Sequence, residues 1–430
     1  MNLVEKIKQK KIRSAVIGLG YVGLPLAVEL AEAGVEVVGI DLDKTKVDAI
    51  NHKKSYIQDI PTERVRDLVS KGMLSATTTY SALMNVDTIN ICVPTPLRKT
   101  KEPDISYIVK AAEQITRYLK KGQLIILEST TYPGTTEEVL LPMFESKGLK
   151  VCKDFYLAFS PERVDPGNSK YNTKNIPKVV GGVSPACTEA AKCLYELVID
   201  NVHTVSSTRV AETVKLLENT FRAVNISLVN ELALMCDKMS INVWEVIEAA
   251  KTKPFGFMAF YPGPGLGGHC IPIDPLYLSW KARAYGFEAR LIELAAQING
   301  SMPAYVVNKI GDALNSHGKS IKDARILILG VAYKKNVSDF RESPAFEVIH
   351  ELKIKGAKIA YNDPYVAQFA ENSLKMKSTK LTAEVLKKAD CVAIITDHDK
   401  YDYDFIVKNA KLIVDTRNAI KTRSNKVVKL

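Results

Sequence analysis

Arg13-Ser14-Ala15-Val16-Ile17-Gly18-Leu19-Gly20-Tyr21-Val22-Gly23-Leu24-Pro25-Leu26-Ala27-Val28-Glu29-Leu30-Ala31-Glu32-Ala33-Gly34, continued by Val35-Glu36-Val37-Val38-Gly39-Ile40-Asp41, is the stretch that decides the fold. Residues 13–17 are a short apolar run and read as a buried strand. Residues 24–33 read as a helix, stopped by Gly34 at the C′ position. Residues 35–40 read as a second strand, ending at Asp41. Strand, Gly-x-Gly-x-x-Gly, helix, strand and acid, in that order, describe a dinucleotide-binding βαβ unit; the other reading is a glycine turn in an ordinary α/β unit. Gly18 makes the tight turn, Gly20 admits a pyrophosphate to the helix N-terminus, and Gly23 permits close packing of helix on strand. Tyr21 and Val22 share that turn and are assigned to the cofactor with the glycines. Asp41 can bond both ribose hydroxyls and repels a 2′-phosphate, so NAD is expected over NADP.

Strands and helices continue to alternate. Residues 88–93 run into Pro94-Thr95-Pro96, residues 124–127 into Glu128-Ser129-Thr130-Thr131, and residues 155–159 into Ser160-Pro161-Glu162-Arg163-Val164-Asp165. Ligands of an open parallel sheet bind outside the carboxyl ends of its strands. Thr95, Thr130 and Glu162 are therefore expected to line a cofactor and substrate cleft. Each alone would be a turn residue; three in succession, each directly after a strand, favour a site.

From Arg209 to about Met239 the pattern is helical, with Val210, Val214, Leu217, Phe221, Val224 and Leu228 in one apolar stripe. Lys215, Asn219 and Arg222 fall on another face. A helix of this length suits a spine between two domains, with surface left for self-association. Asn242-Val243-Trp244-Glu245 resembles a capping box opening a further helix. Pro262-Gly263-Pro264-Gly265-Leu266-Gly267-Gly268-His269-Cys270-Ile271-Pro272-Ile273-Asp274-Pro275 can be neither helix nor central strand. A loop this specialised either presents the Cys270 thiol to a site or encloses an inert one. Helix is expected again from 284 to 317, broken near Pro303 and stopped at Gly318. Residues 324–329 then open a second α/β unit, with helices at 345–355 and 382–388 and strands at 358–361, 391–395 and 412–414. The loop after its first strand carries Lys334, Lys335 and Arg341. It suits phosphates, or is a solvated basic loop.

At 430 residues the chain exceeds one core. The expected fold class is α/β, with two Rossmann-like doubly wound parallel-sheet domains joined by a long central helix. The boundaries are 1–202, 203–318 and 319–430. The formal charge of +11 is spread along the chain and is not interleaved with aromatics, which favours a small anionic ligand over nucleic acid. The seven cysteines include no Cys-x-x-Cys pair, so neither a metal site nor a disulfide framework is expected. No apolar run is long enough to span a membrane, and the Lys-rich start lacks a signal-peptide core. A cytoplasmic protein is expected.

These motifs, in this order, resemble the UDP-glucose/GDP-mannose dehydrogenase family over nearly the whole chain. The resemblance rests on Gly18–Gly23 with Asp41, Ser129-Thr130, Pro161-Glu162, Lys215 with Asn219, Gly267-Gly268-His269-Cys270 with Asp274, and Lys334 with Arg341. Within the family the Pro262–Pro275 and Ser160–Asn168 stretches look most like UDP-N-acetylglucosamine 6-dehydrogenases, with UDP-N-acetylmannosamine, UDP-GalNAc and UDP-glucose enzymes as alternatives. UDP-glucose members carry Ser and Lys where this chain has His269 and Ile273. The resemblance implies a four-electron oxidation of a sugar C6 alcohol to a carboxylate, with two NAD and one water consumed. It implies Cys270 as the nucleophile that forms a thiohemiacetal and a thioester. Lys215 and Asn219 would stabilise the oxyanion, Asp274 and Thr130 would hold water, and Glu162 would be the general base. Substrate contacts would come from Glu162, Arg163, Lys215, Asn219, Tyr261, Gly265, Gly267 and Lys334. Arg341 joins Thr95 and Thr130 on the cofactor side. The resemblance also implies a homodimer through the central helix, with higher oligomers open. Family members can place a neighbouring subunit's arginine against the substrate, but between Trp244 and Cys270 this chain has only Lys251 and Lys253. A reading of another class is a nucleotide-sugar-binding protein without catalysis.

Overall fold

The computed structural model describes residues 1–57, 60–96, 102–164, 171, 173–268, 271–371 and 374–430. The chain divides into one unit of residues 1–218 with 276–287, and another of residues 219–275 with 288–430.

The first unit contains α1 (Leu3–Lys8), β1 (Arg13–Ile17), α2 (Gly23–Glu32), β2 (Glu36–Ile40), α3 (Lys44–Asn51), α4 (Thr62–Ser70), β3 (Leu74–Thr77), β4 (Thr88–Ile91), α5 (Ser106–Tyr118), β5 (Leu124–Leu127), α6 (Leu141–Glu145), β6 (Tyr156–Phe159), β7 (Lys178–Gly182), α7 (Pro185–Tyr195) and β8 (Val202–Val205). The sheet order is β3-β2-β1-β4-β5-β6-β7-β8, so the winding reverses between β1 and β4. Alternate strand residues feed two cores. Val16, Val37, Ile126 and Ala158 pack with residues of α2, α4 and α7, while Ile17, Ile89, Ile125 and Leu157 pack with residues of α5 and α6. That alternation explains why β4 and β5 are buried at every position: both faces are covered. One junction departs from an all-parallel sheet, since β6 and β7 run antiparallel. Antiparallel neighbours need no crossover helix, and none occurs among the described residues between them.

Next come α8 (Thr208–Lys238), α9 (Val243–Ala250), α10 (Asp274–Arg283) and α11 (Arg290–Asn315). The division between the units falls inside α8, after Glu218, and inside α10, after Pro275. The 31 residues of α8 match the expected long helix, and Asn242 caps α9 by accepting from the Trp244 N–H at 3.1 Å. Two expectations are corrected. The helix expected from 284 to 317 begins at Arg290, and it runs through Pro303 without a break. An interior proline costs about 3 kcal/mol because it removes one helical N–H. Here Pro303 is buried, and its neighbours Met302, Val306 and Val307 are fully packed in the core, which offsets that cost.

Much of the apolar stripe on α8 stays exposed among the described residues, although Val214 and Val224 are half-buried and Phe221 meets the Phe260 ring edge-on. Val210, Leu217, Phe221, Leu228 and Met235 are exposed, Leu217 by 61% and Leu228 by 60%. The buried face carries Leu216, Asn219, Ala223, Ser227 and Asn230.

The second unit also holds β9 (Arg325–Leu329), α12 (Pro344–Ile354), β10 (Lys358–Asn362), β11 (Gln368–Glu371), β12 (Leu374–Lys377), α13 (Ala383–Lys388), β13 (Cys391–Ile394), α14 (Tyr403–Asn409), β14 (Ile413–Asp415) and β15 (Val427–Lys429). Its sheet, β10-β9-β13-β14-β15, is parallel throughout, and β11 and β12 form a separate antiparallel hairpin. Among the described residues no helix is long and apolar enough to cross a membrane.

Two buried asparagines tie this unit together. The Asn230 amide donates to Asn299 Oδ1 at 2.9 Å and its oxygen accepts from the Gly263 N–H at 3.0 Å. Asn299 in turn donates to the Ala223 carbonyl at 3.0 Å. Asn230→Ala strands the Gly263 N–H and the Asn299 oxygen, each at about 1–3 kcal/mol. The expected outcome is a urea midpoint lowered accordingly.

Candidate active site

The cofactor turn is built by backbone demands. Gly18 has φ +91°, and its N–H donates to the Ile40 carbonyl at 2.7 Å. A Cβ on Gly18 would overlap the Cys92 carbonyl, and one on Gly23 would overlap the Gly18 carbonyl. Gly20 differs, because a Cβ there meets nothing within 4 Å. The turn therefore leaves an open cradle at Gly20, where α2 starts without a side-chain cap. Uncapped N–H groups beside an open glycine fit a pyrophosphate. Tyr21 is exposed and Val22 half-buried beside them. Asp41 Oδ2 accepts from the Leu19 N–H at 2.8 Å, and Oδ1 from the Asp43 N–H at 2.9 Å. Those bonds clamp the acid to the turn, with Lys46 at 3.2 Å, and they fit a ribose-binding carboxylate. These residues fit NAD.

Farther along the same sheet, the Tyr277 hydroxyl donates to the carbonyls of Thr95 and Pro96 at 2.6 and 3.1 Å. Thr130 is half-buried in the loop after β5. That loop is pinned by Ser129, whose N–H donates to the Ile91 carbonyl at 3.1 Å, and by Glu212 of α8. Glu212 accepts from the Gly134 N–H at 2.5 Å, the Thr136 N–H at 2.9 Å and the Thr136 hydroxyl at 2.7 Å. Sequence reading missed Glu212; its signal was an acid inside an otherwise apolar or neutral helical face.

Glu162 follows β6. Its Oε1 accepts from the N–H groups of Arg163 and Val164 at 2.8 and 2.7 Å, and its Oε2 from Lys178 at 3.2 Å. Burial pushes the carboxyl up, but the Lys178 ammonium, the Val164 N–H and Lys215 outweigh it and hold Glu162 below the usual carboxylate range. Arg163 turns its guanidinium to Glu218, at 2.5 and 3.3 Å, and to the Pro177 carbonyl at 2.6 Å. Lys215 is half-buried on α8.

In the second unit, the buried Asn219 amide donates to the buried Asp274 carboxylate at 2.5 Å. Cys270 and its neighbour His269 lie outside the described residues. The preceding glycines are closely packed by the chain. A Cβ on Gly263 would overlap the Arg417 guanidinium, one on Gly265 would sit 3.3 Å from Pro344, and one on Gly267 would sit 3.0 Å from Tyr333. The Tyr261 hydroxyl donates to Glu248 at 2.7 Å and its ring stacks on Trp244. Arg341 pairs with Asp339 at 2.7 and 2.9 Å, and Lys334 is half-buried in the same loop. Arg417 was not singled out from sequence. It follows β14, donates to the Ile395 carbonyl at 2.9 Å, and lies half-buried against the glycine loop. Its signal was a cation directly after a parallel strand. Among the described residues no group of three His, Cys, Asp or Glu side chains could hold a metal ion.

Burial pushes Glu212 up to about 7, against the hydrogen bonds from Thr136 and Gly134. A carboxyl raised on folding contributes stability fully below its free value of 4.5 and loses it as pH rises to about 7. Relative to Glu212→Gln, the parent protein is expected to lose up to about 3 kcal/mol over that window, at about 1.4 kcal/mol per pKa unit. Urea denaturation at pH 5 and pH 8 measures it, and an equal difference at both would exclude the raised carboxyl.

Residues 12–199, 209–301 and 327–422 match, in order, the NAD binding, central and UDP binding domains of the UDP-glucose/GDP-mannose dehydrogenase family. The chain is 37% identical over 360 residues to UDP-N-acetyl-D-glucosamine 6-dehydrogenase of Pseudomonas aeruginosa, covering 83% of this chain and 84% of that one. It is 39% identical over 424 residues to UDP-N-acetyl-D-mannosamine dehydrogenase of Methanocaldococcus jannaschii, covering 95% and 92%. The solved structure of UDP-D-ManNAc dehydrogenase from Pyrococcus horikoshii superposes with a TM-score of 0.89 at 35% identity, over 97% of this chain and 98% of that one. With its three domain matches and these full-length relatives, the chain belongs to the UDP-glucose/GDP-mannose dehydrogenase family and is an NAD-binding oxidoreductase of the nucleotide-sugar dehydrogenase type.

Proposed function

We propose that this chain oxidises the C6 alcohol of UDP-N-acetylglucosamine to the carboxylate in two steps, through a covalent intermediate on Cys270. The observation that carries this reading is the Asn219–Asp274 hydrogen bond at 2.5 Å. It ties the residue four places after Cys270 to the helix residue four places after Lys215. Gly18, Gly20, Tyr21, Val22, Gly23, Asp41, Thr95, Thr130 and Arg341 hold NAD. NAD, when bound, supplies the hydride acceptor for both oxidations. Between them, the Cys270 thiolate bonds to the aldehyde carbon and gives a thiohemiacetal. The second oxidation leaves a thioester on Cys270. Water then breaks the C–S bond, returning the thiol and releasing the acid. Overall, one alcohol and one water yield one carboxylate, two hydrides and three protons.

Lys215 and the second N–H of the Asn219 amide stabilise the oxyanion of each tetrahedral state. Asp274, fixed by Asn219, holds the attacking water with Thr130, and Glu162 accepts its proton. Lys334 and Arg417 meet the diphosphate, while Arg163, Tyr261, Gly265 and Gly267 shape the sugar and uridine sites. His269 and Ile273, in place of the Ser and Lys of UDP-glucose members, support a hexosamine. The 39% identity to a UDP-N-acetyl-D-mannosamine dehydrogenase favours that epimer as the second reading. The three domain matches support functional segments at 1–202, 203–318 and 319–430. The six described cysteines are all free, which supports a cytoplasmic setting.

The exposed stripe of Val210, Leu217, Phe221, Leu228 and Met235 supports a homodimer through α8. Leu217→Lys with Leu228→Lys is expected to halve the mass measured by light scattering while leaving the far-UV spectrum unchanged. An unchanged mass would remove α8 from the interface.

With limiting UDP-N-acetylglucosamine and excess NAD, about two NADH per sugar are expected. Two with UDP-N-acetylmannosamine, UDP-GalNAc or UDP-glucose alone would keep the chemistry and change the substrate. Cys270→Ala should abolish acid formation, and full turnover by that variant would exclude the covalent route.

A further inference from the structure

We infer that Lys178 is a positioning residue for the reaction: sandwiched between Glu128 and Glu162, it fixes the direction and the charge of the Glu162 carboxylate. The inference rests on the reading of Glu162 as the base that accepts the proton of the hydrolytic water.

Lys178 opens β7, the antiparallel neighbour of β6, and Glu162 lies just beyond the end of β6. Only 6% of the Lys178 side chain is exposed. Its ammonium lies 2.6 Å from Glu128 Oε2 and 3.2 Å from Glu162 Oε2. Glu128 follows β5 and has no exposed side-chain surface. Its other oxygen accepts from Asn90 at 2.7 Å, and Asn90 also donates to the Tyr195 hydroxyl at 3.1 Å. The ammonium further sits 4.9 Å from the centre of the Tyr195 ring. β4, β5, β7 and α7 thus each contribute a group to one buried polar network, whose outer end is Glu162.

The geometry divides the labour. Two backbone N–H groups hold Glu162 Oε1 and the ammonium holds Oε2, so the carboxylate is clamped at both oxygens. One cation serves two carboxylates and lies closer to Glu128. Glu162 is left with most of its negative charge and with the attraction of Lys178, Lys215 and the Val164 N–H. The other titratable neighbours are Cys92 after β4 and Tyr195 on α7, both pushed up by burial and by these carboxylates, so neither competes as an anion. The Arg163 guanidinium is engaged by Glu218 and leaves the field to Lys178. Without the ammonium, burial would dominate, and two neighbouring carboxylates would share a proton near neutrality.

The sign follows. A base held below its usual range works down to a lower pH, so removing the cation moves the acid limb of hydrolysis upward. Lys178→Met is expected to raise that limb by about 1–2 pH units. Lys178→Arg keeps the charge and should stay near the parent. Glu128→Gln removes the competing anion and should move the limb downward. The measurement is rapid-quench intact mass of the Cys270 thioester after pH jumps to values between about pH 3 and pH 9, with UDP-N-acetylglucosamine and NAD, alongside the burst of the first NADH. The inference predicts shifted limbs for adduct decay with an unchanged burst rate. A folded Lys178→Met enzyme with an unshifted limb overturns it. Should that variant not fold, an unshifted Glu128→Gln limb overturns it equally. Glu162→Gln separates the two levels: no build-up of adduct there rejects Glu162 as the base, whereas build-up with unshifted Lys178 and Glu128 variants rejects only the role of Lys178.

Discussion

Taking an ammonium out of water costs several kcal/mol unless charge and hydrogen bonds replace the solvent. Around Lys178 they do: two carboxylates, a tyrosine ring and the Asn90 amide behind Glu128 form one buried network. Building it demands that β4, β5, β6 and β7 lie side by side. It also explains the antiparallel junction, because running β7 back along β6 lets Lys178 meet the segment that follows β6. The loops after β5 and β6, which carry Thr130 and Glu162, take their positions from this network and from Glu212.

The second unit solves a different problem with neutral groups. A glycine- and proline-rich loop forms few bonds of its own, so its backbone needs partners from elsewhere. Asn230 supplies one to the Gly263 N–H and is itself held by Asn299 of a second helix, while Arg417, Tyr333 and Pro344 fill the space that side chains would otherwise take. The chain holds the loop before Cys270 by packing against its glycines. Beyond Cys270, the Asn219–Asp274 bond holds the start of α10.

α8 shows how a pattern read from sequence leaves its surroundings open. Its apolar stripe was plain in the sequence and its length was close, yet the chain buries the opposite, more polar face. Periodicity says that a stripe exists and nothing about which body covers it. The same limit applies to Pro303. Local rules place a break there, but core packing on both sides of the proline outweighs the missing N–H.

Local sequence alone carried the βαβ fingerprint, the acid at Asp41, five of the eight strands of the first sheet and four of the five of the second, and the order of motifs that marks the family. These are local signals: glycines demanded by a turn, apolar runs demanded by a buried sheet, and spacings along one helix. Only the tertiary structure decided that Lys178, fifty residues from Glu128 and sixteen from Glu162, joins the two. It likewise decided that Glu212 closes the loop of Thr130 and that Arg417 backs the glycine loop. Charge pairs across such separations leave no periodic trace, because what brings them together is the closure of the sheet, which no short stretch encodes.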